Sequence, residues 1–490
     1  MMGIRERKMK LAELLSPWIE NIEMDIEISG IESDSRQVMP GMLFLAAQAP
    51  FDHVQRYIDE AIQKGAVAII YDTDELPIAS VPAFRLSKLC ELFGPIASRF
   101  YGYPTHELNV IGVTGTNGKT TISYLLTQAY QLLGIKTFYI GTLGVGSLND
   151  IHETGMTTPN ALVLQKWCSH YRQQAYEQLV MEVSSHALDQ YRVNGVPFKQ
   201  AIFTNLTHDH LDYHGTIESY AKAKARLFQF EHLESMIINV DDPWGQWMIQ
   251  QANPKTKVYR IGIHQPADIK VIAESWTLNG MHLDCETPWG AISIHAQLLG
   301  EFNVYNILSV MTALLDSGFD VDTVQQVIAQ LTPPPGRMEV VSTRPLVVVD
   351  YAHTPDALEN ALKTLKDFQQ KTTSGRLFVI FGCGGDRDPY KRPIMGEIAS
   401  RYAYGVFVTS DNPRHENPHQ IIEQIVAGIP LSTKMMSITD RKLAIMSCLE
   451  EAHPEDIILI AGKGHENYQI IGDSKAHFSD QEIVNSFFKE

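Results

Sequence analysis

Cysteine is scarce: Cys90, Cys168, Cys285, Cys383 and Cys448 stand far apart in 490 residues, with no CxxC pair and an odd total. That pattern argues against a disulfide scaffold or a zinc ribbon and suits a reducing compartment, so a cytoplasmic location is expected. No apolar run is long enough to span a bilayer. The N-terminal stretch MMGIRERKMKLAELL carries charge without the long apolar core of a secretion signal. Basic charge is short too: 40 lysines and arginines face 57 acidic residues, a formal net charge of −17. No general binding to nucleic acid or to a membrane surface is therefore expected, while a local basic site for an anionic substrate is compatible with the balance. Internal repeats and low-complexity tracts are also lacking.

What is present is ordinary globular composition, 44% hydrophobic and 20% charged. The length exceeds what one core organises and predicts about three domains. Residues 1–105 hold short mixed apolar runs such as 41–47 and 66–71, and Tyr101-Gly-Tyr-Pro-Thr105 reads as a linker. Next come a buried strand at 108–113, a glycine loop and a helix at 120–133, with further strands at 179–183 and 236–240 and a helix at 304–315. Pro333-Pro-Pro-Gly336 marks a second boundary. Beyond it strands at 346–349, 377–381, 406–409 and 457–461 interleave with helices at 356–368, 392–402, 418–427 and 441–452. That alternation implies parallel βαβ units, so the fold class is α/β.

The loop Gly115-Thr116-Asn117-Gly118-Lys119-Thr120-Thr121 lies between the first strand and helix of the middle region. Glycines let backbone N–H groups approach phosphate oxygens, and a helix N-terminus favours the anion. Lys119 can neutralise β/γ-phosphate charge and the Thr120 hydroxyl can reach Mg²⁺. The strict phosphate-loop spacing asks for glycine at position 113, where this chain has Val113. Downstream, Glu182 ends a strand, and Thr204-Asn-Leu-Thr-His-Asp-His-Leu-Asp-Tyr-His214 is dense in histidine and aspartate. Oxygen ligands and an imidazole suit Mg²⁺. His208, His210 and Asp212 also fit an HxHxD metallo-hydrolase pattern, although Tyr213 follows where such a site has histidine. A regulatory phosphate-loop ATPase is the other competing class. In the basic helix Tyr220-Ala-Lys-Ala-Lys-Ala-Arg226, a solvated face is the ordinary expectation, and charge pattern alone selects no lysine.

Taken together these stretches resemble the Mur ligase family, and within it the diaminopimelate-adding branch. The signatures are GTNGKTT at 115–121, TTPN at 157–160, MEVSSHAL at 181–188, FTNLTHDHLDYHG at 203–215, GEFNVYN at 300–306, GRMEVV at 336–341, DYAHTPDAL at 350–358, FGCGGDRD at 381–388, DNPR at 411–414 and AGKGHENYQ at 461–469. The resemblance implies a UDP-muramoyl-substrate domain at 1–105, a central ATP-binding domain at 106–335 and a Rossmann-like amino-acid-binding domain at 336–490. It implies ATP and two Mg²⁺ as cofactors, with Lys224 carbamylated into a metal ligand beside Glu182, His210 and Thr120. Asn303, Asn306, Arg337, Asp350 and His353 match positions around ATP. Thr157, Thr158, Ser184, Gln190 and Arg192 match those holding the muramoyl peptide, and Ser33 and Ser35 the uridine end. Ala47-Gln-Ala-Pro-Phe-Asp52 departs from the family's next uridine loop, which carries a glycine near its start. The implied substrates are UDP-MurNAc-L-Ala-D-Glu and meso-diaminopimelate, and a monomer is expected.

The implied route activates a substrate carboxylate as an acyl phosphate, which the incoming amine attacks. Positioning and charge neutralisation carry such chemistry. In the last domain Asp350, Gly382-Cys-Gly-Gly-Asp-Arg387, Asp411-Asn412-Pro413-Arg414 and Gly462-Lys-Gly-His-Glu466 each follow an expected strand, so a parallel sheet would bring them to one edge. Arg387 and Arg414 can each grip a carboxylate with two hydrogen bonds, while Asp411 and Glu466 can receive an ammonium. That set suits an amino acid with a second zwitterionic end. A buried Arg414 left unpaired by lysine would reject it by ~10⁴. The alternatives are a lysine-adding or folylpolyglutamate-type ligase, and a plain β-turn as the role of DNPR.

Overall fold

The computed structural model describes residues 7–47, 51–277 and 280–489. Contacts divide the chain into two compact units. The first takes the chain up to Lys270 together with Leu308–Phe319, and the second takes Val271–Ile307 and everything from Asp320 on.

After a short antiparallel pair, Met9–Lys10 with Glu27–Ile28, the first unit has a four-stranded parallel sheet, β1 (Gly30–Glu32), β2 (Met42–Ala46), β3 (Ala68–Tyr71) and β4 (Ala83–Arg85), paired in that order. The runs 41–47 and 66–71 supply its two central strands. Then come β5 (Asn109–Thr114), β6 (Thr137–Gly141), β7 (Gly144–Ser147), β8 (Asp150–His152), β9 (Gln178–Glu182), β10 (Gln200–Phe203), β11 (Ser235–Asn239) and β12 (Lys257–Gly262). Their order is β8-β7-β6-β9-β5-β10-β11-β12, with β7 and β8 antiparallel and the rest parallel. Strands β6, β9, β10 and β11 are buried at every position, as a parallel sheet covered on both faces requires.

The second unit contains the hairpin β13 (Gly280–Thr287) and β14 (Gly290–Ala296). Its main sheet comprises β15 (Glu339–Thr343), β16 (Leu346–Asp350), β17 (Leu377–Phe381), β18 (Gly405–Val408), β19 (Lys434–Ser437) and β20 (Ile457–Ala461), in the order β15-β16-β20-β17-β18-β19. Only β15 runs antiparallel. A further hairpin joins β21 (Tyr468–Ile471) to β22 (Ser474–His477). Helix Pro355–Thr372 shows why the sequence folds this way. Thr354 caps it by accepting from Ala357 N–H, proline opens it, and Leu358, Ala361, Leu362, Leu365 and Phe368 form one apolar stripe against the sheet. Because β16, β20, β17 and β18 are parallel neighbours, their carboxyl ends share one edge.

Candidate active site

In the first unit β5 stops at Thr114 and the helix Lys119–Leu132 starts five residues later. Gly115 has φ +148°, and a Cβ there would lie 1.8 Å from Thr204 Oγ1, so only glycine fits. The 204–207 segment clamps the loop from outside. Thr204 Oγ1 donates to Asn117 O at 2.6 Å, Asn117 N to Asn205 Oδ1 at 2.9 Å, Thr116 N to Asn205 O at 2.9 Å and Thr207 N to Thr116 Oγ1 at 3.0 Å. Lys119 curls back, its Nζ donating to Gly115 O at 2.9 Å and Thr116 O at 2.8 Å. No acidic residue occupies the helix's first turn, which leaves its positive end available to an anion. Val113 is a fully buried β5 residue paired with Glu182 and Ile202. The missing glycine is thus a sheet position that makes no part of the turn.

Lys224 lies on helix Ile217–Ala225, 1% exposed, and its Nζ donates to the same Gly115 O at 2.7 Å. Burial first, then the nearby Lys119 charge, push its pKa well below that of a free lysine, outweighing the opposing pull of Asp209. Its Nζ sits 4.3 Å from the Tyr220 ring, whose hydroxyl meets Thr116 Oγ1. Glu182, at the end of β9 beside β5, is fully buried. It accepts from Thr142 N at 2.9 Å, Thr142 Oγ1 at 3.1 Å and the Tyr139 hydroxyl. His210 is exposed, takes φ +53° and lies 3.2 Å from Asp209 Oδ2, with the His186 ring 4.9 Å away. Among the described residues no three His, Cys, Asp or Glu side chains are grouped so as to hold a metal, His208, His210 and Asp212 included.

Five expected substrate residues form one network. Thr158 Oγ1 donates to Glu182 O at 2.8 Å and accepts from Ser184 N at 3.1 Å. Arg192 Nη1 donates to Thr158 O at 2.9 Å, its Nε to Gln190 Oε1 at 2.9 Å, and Gln190 Nε2 to the Tyr213 hydroxyl at 3.1 Å. Thr157 joins through Thr142 Oγ1 at 3.1 Å. Ser33 and Ser35 belong to the first sheet's loops. Ser35 is buried with its hydroxyl on Glu60 Oε2 at 2.6 Å, which commits that group to the fold. Of the departing loop at 47–52, residues 48–50 lie outside the described residues.

In the second unit Asp350 ends β16 and accepts from Met338 N and Ala352 N, both at 2.8 Å. Its burial raises its pKa against the lowering pull of Arg337. The Arg337 guanidinium lies 4.7 Å over the Tyr351 ring, and its buried Nε has no hydrogen-bond partner among the described residues. His353 Nδ1 is 2.8 Å from Tyr351 O, and burial lowers its pKa. Asn303 and Asn306 are buried and bonded to each other at 2.7 Å, with Asn303 Nδ2 also on Leu299 O.

The arginine loops meet at the shared strand edge. A Cβ on Gly384 would lie 2.9 Å from Arg414 Nη1 and 3.7 Å from Arg387 Cγ. Arg414 is half-buried rather than buried, and its Nη1 donates to Gly385 O at 2.8 Å. A lysine substrate would therefore leave Arg414 less destitute than full burial implies, and the expected ~10⁴ rejection is an upper figure. Asn412 Nδ2 donates to Glu466 Oε2 at 2.8 Å, and buried Lys463 donates to Glu466 Oε2 at 3.0 Å. Glu466 is thus partly satisfied before any ammonium arrives. Asp411 is buried, and Gly462, which follows β20, donates from its N to Asp350 O at 3.1 Å.

Residues 113–314 match the Mur ligase middle domain, and residues 336–464 match the Mur ligase glutamate ligase domain. The chain is 43% identical over 474 residues to a UDP-N-acetylmuramoyl-L-alanyl-D-glutamate–2,6-diaminopimelate ligase of Chromobacterium violaceum, covering 94% of each chain. The chain belongs to the Mur ligase family. A solved structure titled as a ligase of that same name is similar at 36% identity with TM-score 0.76, covering 98% of this chain and 99% of that one. Folylpolyglutamate synthase of Mycobacterium tuberculosis, at 18% identity, TM-score 0.60, 76% of this chain and 92% of its own, shares the fold alone.

Within this Mur ligase the motif residues were legible, and several of their partners were not. Thr142, Tyr139 and Tyr213 hold Glu182 and Gln190 yet lie outside the quoted motifs or carry no expected role in them. For Thr142 a signal existed: it directly follows a strand of the nucleotide sheet, where ligand-facing residues collect. Lys224 also had one. Tyr220, Ala221, Ala223, Lys224 and Ala225 are buried on their helix, while Lys222 is exposed.

Proposed function

We propose that the protein joins meso-diaminopimelate to UDP-MurNAc-L-Ala-D-Glu at the expense of ATP, a step of peptidoglycan precursor synthesis. The observation that carries the choice of amino acid is the meeting of Arg387 and Arg414 over Gly384. Two arginine side chains rising from loops at one strand edge suit a distal carboxylate, and Asp411 and Glu466 from the same edge suit its ammonium. The relatives bearing the diaminopimelate ligase name support the same reading.

The 115–121 loop cradles the triphosphate, and Lys119 supplies positive charge to it. A buried lysine that disfavours its own charge fits a metal site, because the neutral amine can attack CO₂. Its lone pair forms the N–C bond, one proton leaves, and Lys224 becomes a carboxylate-bearing ligand. With Glu182, His210 and Thr120 it would hold Mg²⁺, two ions in all. Bound Mg²⁺ would neutralise phosphate charge as the substrate carboxylate becomes an acyl phosphate. Thr157, Thr158, Ser184, Gln190 and Arg192 orient the muramoyl peptide, Ser33 with Ser35's loop receives the uridine end, and Asn303, Asn306, Arg337, Asp350 and His353 serve ATP. We assign these roles to the three domains 1–105, 106–335 and 336–490, in a cytoplasmic monomer.

The test is phosphate release with the UDP-dipeptide, ATP and Mg²⁺, comparing meso-diaminopimelate with L-lysine. Release with a tripeptide product from diaminopimelate supports the proposal. Turnover of lysine alone overturns the specificity, and ATP hydrolysis without amide product overturns the ligase.

A further inference from the structure

The loops after β17 and β18 carry Arg387 and Arg414, and neither loop is rigid by composition: one is Gly382-Cys-Gly-Gly-Asp386, the other turns through Asn412-Pro413. What fixes them lies beneath. Arg392, 1% exposed on helix Lys391–Tyr402, forms a two-pronged ion pair with Glu416, Nη1 to Oε2 at 2.8 Å and Nη2 to Oε1 at 2.9 Å. The same guanidinium donates to Gly384 O at 3.2 Å and to Gln424 Oε1 at 2.7 Å. Glu416 in turn accepts from Asp386 N. One buried cation and one carboxylate thereby grip both loops.

The grip continues through backbone to the recognition group. Gly385 N donates to Asn412 O at 2.9 Å, and Gly385 O receives Arg414 Nη1 at 2.8 Å. Asp386 and Arg414 both take left-handed backbone, φ +55° and +49°, which non-glycine residues hold only where their surroundings dictate it. Arg414 touches the Gly385 carbonyl, so its position depends on where Gly384–Asp386 is held.

We infer that the Arg392–Glu416 pair is a positioning element that sets the choice of incoming amino acid, by holding the Gly384–Asp386 turn against which Arg414 is aimed. This rests on the reading that Arg414 meets the distal carboxylate of diaminopimelate. Arg392 keeps Glu416 below the usual carboxylate range, so the pair is intact at neutral pH. A purely architectural pair would support all substrates alike. This one acts on the two loops of the amino-acid pocket.

The test uses Glu416→Gln, which turns an amide N–H₂ toward other donors, and Arg392→Lys, which keeps the charge and loses the fork. Both variants are measured for KM of each substrate, for the diaminopimelate-to-lysine ratio of kcat/KM, and for cooperative melting. The KM for diaminopimelate is expected to rise about 30-fold, the scale of one charge-assisted hydrogen bond, and the ratio to fall at least about tenfold. The KM values for ATP and UDP-dipeptide should stay within about twofold. An unchanged diaminopimelate KM, a parallel rise in all three, a fall in kcat alone, or loss of cooperative melting in both variants overturns the inference. Arg414→Ala run alongside separates the two layers. If it leaves diaminopimelate use intact the underlying reading fails, and if it alone impairs that use only the positioning role fails.

Discussion

Replacing Lys224 by methionine separates a chemical lysine from a structural one. Lys224 Nζ and Lys119 Nζ bond the same carbonyl oxygen at 2.7 and 2.9 Å. Laid end to end those bonds put the nitrogens no more than about 5.6 Å apart. Two positive charges at that separation repel by about 3 kcal/mol at an effective dielectric constant of about 20. Burial adds to the penalty in the same direction. The charged form of Lys224 is therefore disfavoured, and its Nζ is tied into the fold by a hydrogen bond to Gly115 O. Gly115 O keeps its bond from Lys119 when that amine goes, and methionine fills the slot beside Tyr220. The stability loss should be about 0.5–1.5 kcal/mol, the net worth of one hydrogen bond. On the metal role proposed for Lys224, ligation should fall at least about 10³-fold, since losing a metal ligand removes several kcal/mol of charge stabilisation. Urea unfolding and phosphate release on one preparation measure both, with exposed Lys222→Met as control. Added formate or acetate should restore part of the activity of Lys224→Ala, where space for it is left. A stability loss above about 3 kcal/mol, or activity within about tenfold of the parent, would refute the reasoning.

Other outcomes follow from the same geometry. Thr142→Val removes one hydroxyl bond from Glu182 and keeps the backbone one; kcat should drop about tenfold with stability within about 1 kcal/mol, and an unchanged kcat would show Glu182 needs no such bracing. Gly385→Ala places a methyl group 1.9 Å from Pro413 O. The loops must part, so KM for diaminopimelate should rise while KM for ATP does not, as steady-state kinetics will show. Asp34 accepts from Arg36 Nε at 2.9 Å, Nη2 at 2.8 Å and N at 3.0 Å, which lowers its pKa to about 2. A depressed carboxylate stabilises the fold above its unfolded pKa, so this contribution should be full above about pH 4 and vanish as pH falls toward about 2. Asp34→Asn should flatten that part of the acid-unfolding curve, and a carboxyl titration by NMR near pH 4 would contradict the assignment.

The nucleotide loop was legible because its chemistry is local: strand, glycine turn, lysine and helix lie within a few residues. The β16–β20 edge was legible because parallel topology follows from alternation, and the apolar runs 377–381 and 457–461 coincide with β17 and β20. Side-chain partnerships at long separation were not. Arg392 and Glu416 read as a helix residue and a loop residue, and only folding shows that they grip one another. Asn303 and Asn306 fit an ATP motif, yet the structure spends their amides on each other and on Leu299. Strand β19, exposed at every position, has no apolar pattern to announce it and depends on pairing with β18.

Burial of cations offers the sharper criterion for what is chemistry and what is scaffold. Arg392, Arg441 and Lys463 are all 1% exposed or less, and each has a carboxylate within 3.0 Å: Glu416, Asp480 and Glu466. Paired burial of this kind fixes geometry, and removing one partner would strand the other. Lys224 is as deeply buried and faces Lys119 across a shared carbonyl. No packing argument favours a lysine there, since an apolar side chain would fill the position without the repulsion. An amine placed where its charge is opposed is what the proposed carbamylation of Lys224 would require.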